Sequence, residues 1–269
     1  MNDITLSRLP FRHMDDLLRS WPTPASHEEL DEMVALRPGI MESVDEALIN
    51  FVLQWGEPYG YIQEQNGRVV QNLFPIASTA SEQISSSSTV PLELHTETAF
   101  HPYRPDLLVL LCVRGDATAG TVFSRLAAAL PLLEPRHIEV LHEPAFTTTL
   151  DLSFQNQQQS DSIVTTPVLF DQGTRITFDL TLMKATTAEG DSALRALTEA
   201  ILKVQERIVL AAGDVLAMNN HRVVHGRTPF TPRYDGTDRW LKRVMVRRTP
   251  PPARDYSPLH VGGVITTML

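Results

Sequence analysis

The spacing of hydrophobic and polar positions changes character partway along this 269-residue chain. The first 60 residues read as helical. Ser26-His27-Glu28-Glu29 has the spacing of a capping box, with Leu30, Met33 and Val34 following on one face. Between Glu42 and Leu53, the residues Val44, Ala47, Leu48, Phe51 and Val52 recur at helical intervals. A short apolar piece, Val69 to Phe74, stops at Pro75. From Val90 onward strands dominate: Leu92 and Leu94 alternate with Glu93 and His95, and Leu107 to Val113 is a continuous apolar run of strand length. Glu134 to His142 reads as a short helix and Ala145 to Phe154, weakly alternating and Thr-rich, as a strand. Val168 to Leu180 reads as a hairpin turning at Asp171-Gln172-Gly173. Leu194, Leu197, Ile201 and Val204 mark a helix over Ser192 to Val204, Arg207 to Leu210 and Val215 to Met218 read as short strands, and Trp240 to Arg247 as a late one.

Two polar tracts interrupt this pattern. Ser78 to Thr89 contains four consecutive serines; its composition allows a flexible linker between domains, and its position just before the richest chemical motif allows a loop folded over a site. Gln155 to Asp161 has no core signal and reads as a mobile lid. There is no internal repeat. Many short strands with helices at the N-terminus and in an insertion at 190–206 predict a mainly β protein, a double-sheet barrel with helical cladding. The expected organisation is one domain over 1–269, with 1–74 as helical and β cladding and 75–250 as the core.

Composition narrows the partners. A net charge of -9, from 32 acidic and 23 basic residues, disfavours nucleic acid and anionic membrane. The single cysteine, Cys112, lies in an apolar run and reads as a buried thiol, so no internal disulfide is expected. With no run of 18 apolar residues and no basic-then-apolar start, the expectation is a cytoplasmic protein without a signal peptide or membrane span. Nothing in the sequence specifies an oligomeric state.

The chemistry concentrates in Leu94-His95-Thr96-Glu97-Thr98-Ala99-Phe100-His101 and in Asn220-His221-Arg222-Val223-Val224-His225-Gly226-Arg227. On a strand, residues i and i+2 share a face, so His95 and Glu97 would present a nitrogen and an oxygen to one point, with His225 as a third donor. Two imidazoles and one carboxylate around a metal with open positions are the ligand set of non-haem Fe(II) oxygenases. Alternatives stand beside this. A His-x-Glu pair is a common accident in a chain with nine histidines. His221 and His225 have a spacing that binds zinc from a helix, although Val223-Val224 favour a strand. His101 is a further candidate ligand, but Pro102 turns the chain away after it.

A longer set of stretches resembles the clavaminate synthase-like branch of the Fe(II)/2-oxoglutarate oxygenases, which includes bacterial arginine, asparagine and lysine hydroxylases. They are Leu92 to His101, Arg104-Pro105-Asp106, Gly120-Thr121-Val122-Phe123, His225 to Gly236 and Asp238 to Arg243, within a resemblance running from about Pro75 to Arg248. The resemblance implies a double-stranded β-helix (jelly-roll, cupin-like) core. It implies that His95, Glu97 and His225 hold iron; this branch uses Glu where most relatives use Asp. It matches Arg239 to the arginine that holds the distal carboxylate of 2-oxoglutarate, a task suited to a planar, bidentate guanidinium, and Thr121 to a threonine on the same carboxylate. Arg243 is expected either to support that carboxylate or to be structural, and Arg222, Arg227 and Arg233 to be structural. In the amino-acid hydroxylases the residue matched by Glu97 also meets the substrate amine, and Ser and Gln residues upstream meet its polar ends; Gln83 and Ser85 are the candidates here. Asp179 and Asp151 are matched to acids that bind cationic side chains, or are ordinary strand-end acids. One departure is Asn219-Asn220, where relatives often carry Asp-Asn; it lies outside the ligands and bears on their surroundings.

The implied reaction uses Fe(II), O₂ and 2-oxoglutarate, yields succinate and CO₂, and hydroxylates an unactivated C–H of a free, polar, basic L-amino acid such as arginine or lysine, in natural-product biosynthesis. Variants are desaturation, cyclisation, or action on a carrier-tethered amino acid. The reading from another class is a non-catalytic barrel that binds a small molecule or zinc, which has no need of both an open metal face and a carboxylate clamp.

Overall fold

In the computed structural model, which describes residues 2–9, 21–37, 39–155 and 163–267, the chain passes repeatedly between two facing sheets. Among the described residues the major sheet has eight strands and the minor sheet four. The minor sheet runs Glu206–Ile208, Thr121–Arg125, Val223–Arg227, Leu92–His95. At the centre of the major sheet, Leu107–Arg114 lies between Asp214–Asn219 and Trp240–Arg247. In sequence order, Leu92–His95, Leu107–Arg114 and Thr121–Arg125 fall in the minor, major and minor sheets. After the helical insertion, Glu206–Ile208, Asp214–Asn219, Val223–Arg227 and Trp240–Arg247 alternate in the same way. This alternation is the double-stranded β-helix, here mainly β with helices on its outer faces.

Three apolar clusters fill the layers. Leu108, Leu110, Cys112, Phe123, Leu216 and Met245 belong to the cluster between the sheets. The opposite face of the major sheet, through Val109, Leu111, Val215 and Val244, packs on the N-terminal helices His27–Leu36 and Ile40–Val52 through Leu30, Val44 and Leu48. Each such fully buried aliphatic side chain contributes roughly 1.5–3 kcal/mol of transfer free energy. The outer face of the minor sheet packs on Ala188–Lys203, which buries Ala193, Leu197 and Ile201. Leu107–Arg114 is apolar on both faces because both are covered. Cys112 is buried there, its thiol pushed up to about 12 by burial.

Ser26 caps the first described helix by accepting from Glu29 N–H at 3.1 Å, and Glu29 reaches back to Ala25 N–H at 2.6 Å. The N-terminal region is not helical throughout. Ile4–Arg8 pairs antiparallel with Asp214–Asn219, and Glu57–Tyr61 pairs with Met245 to Arg247. Both are five-residue strands, too short for period to identify, and their partners lie far along the chain. Ala145 to Phe154 also differs from expectation: the strand covers Phe146–Thr149, and a short helix, Leu152–Gln155, follows because Asp151 Oδ1 accepts from Ser153 and Phe154 N–H. The hairpin turns at Asp171–Gly173 as expected, with Asp171, Gln172 and Gly173 all at positive φ, but its strands are two residues each. No helix among the described residues is long and apolar enough to cross a membrane. The lid expected over 155–161 lies, beyond Gln155, outside the described residues.

Candidate metal centre

Strand register brings two imidazoles together. Leu92–His95 and Val223–Arg227 are neighbours in the minor sheet, and His225 stands opposite His95 with ring centroids 4.4 Å apart. His95 Nδ1–H donates to the Glu93 carbonyl at 2.8 Å, which leaves the Nε2 lone pair free. Glu97 arrives by another route. The strand ends at His95, so the expected sharing of one strand face by residues i and i+2 does not apply. Thr96 N–H donates to the Phe178 carbonyl, Glu97 N–H donates to Asn220 Oδ1 at 2.7 Å, and Thr98 takes a left-handed φ of 47°. The turn swings the Glu97 carboxylate under the two rings.

Glu97 Oε2 lies 3.3 Å from His225 Nε2 and 4.0 Å from His95 Nε2, and one donor atom from each of the three residues lies within 4.8 Å of the others. Donors at bond lengths near 2.1 Å on adjacent sites of a metal are about 3 Å apart, so this spacing fits an ion without rebuilding the backbone. Burial alone would raise the Glu97 carboxyl, but Arg243 foremost, then His225 and His95, hold it well below the usual carboxylate range. Burial, then His95, lowers His225, so its imidazole is neutral. An ionised carboxylate and neutral imidazoles are the protonation states that metal binding requires. His101 is not part of the group: it is buried, Nδ1 accepts from Tyr103 N–H at 3.0 Å, and its ring packs on Tyr61.

The structure places Arg243 on the metal side. Its guanidinium donates to Glu97 Oε1 at 2.6 Å, to Glu64 Oε1 at 2.8 Å and to Gln71 Oε1. Of the two expectations for Arg243, these contacts fit the structural one: all three acceptors belong to the protein, and one is a metal-ligand candidate. It occupies Oε1 of Glu97 and leaves Oε2 turned to the imidazoles.

Arg239 has different surroundings. It is buried and lines the same cavity as the triad, and among the described residues no carboxylate forms an ion pair or hydrogen bond with it. Burial pushes its guanidinium down to about 10. The preceding loop is braced: Asp238 accepts from Arg233 and Tyr234 N–H at 2.7 and 2.6 Å, and Gly236 sits at φ 82° where a Cβ would come within 2.7 Å of Pro22. Thr121, buried at the start of its strand, lines the cavity with it.

The four remaining expected residues also line this cavity. Gln83 fastens the 78–89 tract to the His95 strand, its Nε2 donating to Pro91 O and its Oε1 accepting from Glu93 N–H. That tract is a loop over the site and not a linker: Ser87 and Ser88 are buried and Ser85 lines the cavity. Asp179 bridges to His95 across the sheet edge while its Oδ1 accepts from Thr181 and Leu182 N–H. Asp151 has burial, then the Glu64 carboxylate, pushing its carboxyl up to about 7.

Sequence reading missed Glu64 and Gln71, and it placed Asn220 near the ligands without its contact to Glu97. Glu64 lies in the polar run Gln63-Glu64-Gln65-Asn66, which reads as an exposed turn, yet it is buried beside Arg243. Gln71 sits opposite Arg243 in a strand pair, which sequence spacing does not reveal.

Comparison with known proteins gives a consistent picture. The family described as Taurine catabolism dioxygenase TauD, TfdA family matches residues 25–245, so the likeness reaches back into the N-terminal helices, well before Pro75. The L-lysine 3-hydroxylase of Catenulispora acidiphila is 36% identical over 231 residues, covering 84% of this chain and 63% of that protein. The L-asparagine oxygenase of Streptomyces coelicolor is 37% identical over 197 residues, covering 71% and 58%. The chain thus spans about six-tenths of the length of these curated relatives. The non-heme iron oxygenase OrfP in complex with Fe, succinate and (3S)-hydroxy-L-Arg superposes with a TM-score of 0.84 at 29% identity, covering 98% of this chain and 82% of that one. In complex with Fe and alpha-ketoglutaric acid it superposes at 0.80 and 32% identity, covering 92% and 76%.

Proposed function

The chain belongs to the TauD/TfdA dioxygenase family, and on that premise we propose that it is an Fe(II)- and 2-oxoglutarate-dependent oxygenase that hydroxylates an unactivated C–H of a free, basic L-amino acid. The observation that carries this reading is the meeting, in one cavity, of a two-imidazole, one-carboxylate donor set with a buried guanidinium that no carboxylate of the described residues partners. A buried cation without an anion is costly, and a dicarboxylate co-substrate relieves that cost. Iron held by these donors, together with 2-oxoglutarate, would supply the O₂-dependent C–H oxidation that no side chain performs.

The chain's own residues bind and orient. His95, Glu97 and His225 hold the metal from one side. Arg239 takes the distal carboxylate of 2-oxoglutarate through its guanidinium fork, with Thr121 as a hydroxyl partner. Arg243 keeps Glu97 ionised and its Oε2 aimed. Asp151, Asp179 and Glu64 make the substrate end of the cavity acidic. Asp151 favours a cationic side chain most, because burial and the Glu64 carboxylate raise its carboxyl to about 7 and Arg243, the nearby cation, is hydrogen-bonded to Glu97 and Glu64 instead. Gln83 and Ser85 line the mouth and meet the polar ends of an amino acid. Residues 1–269 act as one oxygenase domain on this reading, since strands from both ends of the chain hydrogen-bond into the major sheet.

The test is succinate formation with Fe(II), 2-oxoglutarate and a panel of free amino acids, with products identified by mass spectrometry. Hydroxylated arginine or lysine is expected. Absence of succinate with every amino acid, together with absence of the visible band of an Fe(II)/2-oxoglutarate complex, would overturn the assignment in favour of a binding barrel.

A further inference from the structure

The second ligand of a His-x-Glu motif is expected to be fixed by the strand that carries the first, yet here the strand stops at His95. Glu97 has to be held by something else. A single side chain from the turn between Asp214–Asn219 and Val223–Arg227 does this. Asn220 Oδ1 accepts the Glu97 N–H at 2.7 Å, and Asn220 Nδ2 donates to the Glu97 carbonyl at 3.1 Å and to the Pro105 carbonyl at 3.0 Å. The amide imitates a neighbouring strand, answering both backbone groups of one residue. The next residue, Thr98, takes a φ of 47°, unusual for a threonine, and its Oγ1 is 3.0 Å from the Tyr61 hydroxyl. Tyr61 is fully buried and its hydroxyl also donates to the Tyr103 carbonyl at 3.0 Å.

Asn220 is itself locked. Its own N–H donates to the Asp106 carbonyl at 3.0 Å, its side chain is buried, and Asp106 accepts from His221 Nε2 at 2.8 Å and from Arg248 N–H at 2.8 Å. The preceding Asn219 is only an acceptor to this turn through its side chain, taking the His221 N–H at 3.1 Å. An aspartate would accept equally well, which explains why Asn219 stands where relatives often carry Asp. Position 220 differs: it needs an acceptor and two N–H donors on one planar group, which an amide offers and a carboxyl does not.

We propose that Asn220 is a positioning residue for the metal, clamping the backbone of Glu97 so that its carboxylate meets His95 and His225. The inference rests on the iron reading of the triad. Its test is Co(II) binding to the full chain without co-substrate or substrate, read from the visible ligand-field bands and by competition with a chelator, beside the melting temperature of the metal-free protein. Asn220→Ala is expected to weaken Co(II) binding by about 10- to 100-fold, the range seen when groups supporting metal ligands are removed. Asn220→Asp keeps the acceptor and the size but sets a carboxyl against the Glu97 and Pro105 carbonyls; a loss of affinity with altered bands is expected, with the metal-free protein still melting cooperatively at a temperature below that of the parent. Should the alanine variant fail to fold, the aspartate variant decides. Parent-like affinity and bands in a folded Asn220 variant, while Glu97→Ala loses Co(II), would overturn the clamp and leave the triad standing. Parent-like binding in Glu97→Ala would instead overturn the triad, and the clamp with it.

Discussion

Three titratable residues of the cavity, Arg243 and Arg239 buried and Asp151 half-buried, are read differently by their surroundings. Arg243 is saturated by Glu97, Glu64 and Gln71, whereas among the described residues no carboxylate forms an ion pair or hydrogen bond with Arg239 and no cationic side chain forms one with Asp151. The last two are therefore the places where ligands are felt. Arg239→Met is expected to raise the 2-oxoglutarate requirement by roughly 30-fold or more, since removing one partner of a buried, hydrogen-bonded charge pair costs about 2–5 kcal/mol. Co(II) affinity should stay unchanged, and an unaltered KM for 2-oxoglutarate would move the clamp elsewhere. Asp151 gives a pH prediction. Its carboxyl is raised from 3.8 to about 7, so the folded chain binds a proton that the unfolded chain has released. The stability it contributes is full below the ordinary carboxylate value and is lost as pH rises through the folded value. Asp151→Asn keeps the helix-capping oxygen and removes the titration. The melting temperatures of parent and variant should coincide near about pH 4 and diverge towards about pH 8, where the variant is the more stable. A parent that melts higher at the upper pH would mean that Asp151 has a cationic partner in the free protein.

The elements show what sequence spacing can and cannot carry. His95 and His225 meet because two minor-strand partners are in register, and that register depends on Gly226, whose Cβ would lie 2.3 Å from the Leu92 carbonyl oxygen. Gly226→Ala should force the strands apart, weaken metal binding by about tenfold and destabilise the fold by roughly 1–3 kcal/mol. Chelator competition and thermal melts measure both; parent-like values in each would mean the backbone yields without cost. Strands and helices with a strong period, such as Leu107–Arg114 and Ala188–Lys203, were legible in the chain because burial writes itself into spacing. The meeting of the triad was legible through resemblance to a family, which joins the local pair His95 and Glu97 to the distant His225. Asn220's grip on Glu97 and Glu64's place beside Arg243 were not, because each depends on a pairing over 123 and 179 positions that no local pattern encodes. Ile4–Arg8 escaped for the same reason, its partner being Asp214–Asn219.

At the scale of the whole molecule, the cavity is closed on one side by a segment that composition alone leaves undecided between linker and loop. What settles residues 78–91 into a loop is Arg227, on the minor-sheet strand next to Leu92–His95. Its guanidinium donates to Ser87 Oγ at 2.8 Å and to the carbonyls of Ser88 and Val90 at 3.3 Å, and stacks over Phe230 at 5.0 Å. Among the described residues no carboxylate pairs with it, and burial pushes it down to about 10. A charged group held by carbonyls and a hydroxyl is a fastener whose removal leaves several acceptors open at once. The loop carries Gln83 and Ser85 to the cavity, so on the proposed reading its fastening bears on the amino-acid end through a side chain that itself lines the cavity. Arg227→Met keeps an apolar stem and removes the donors together with the guanidinium that stacks on Phe230. Amide hydrogen exchange across 83–90 should then accelerate, and the KM for the amino-acid substrate should rise more than that for 2-oxoglutarate, because Arg239 and Thr121 lie on other elements. Unchanged exchange in that segment would show that Gln83, through Pro91 and Glu93, holds the loop without Arg227.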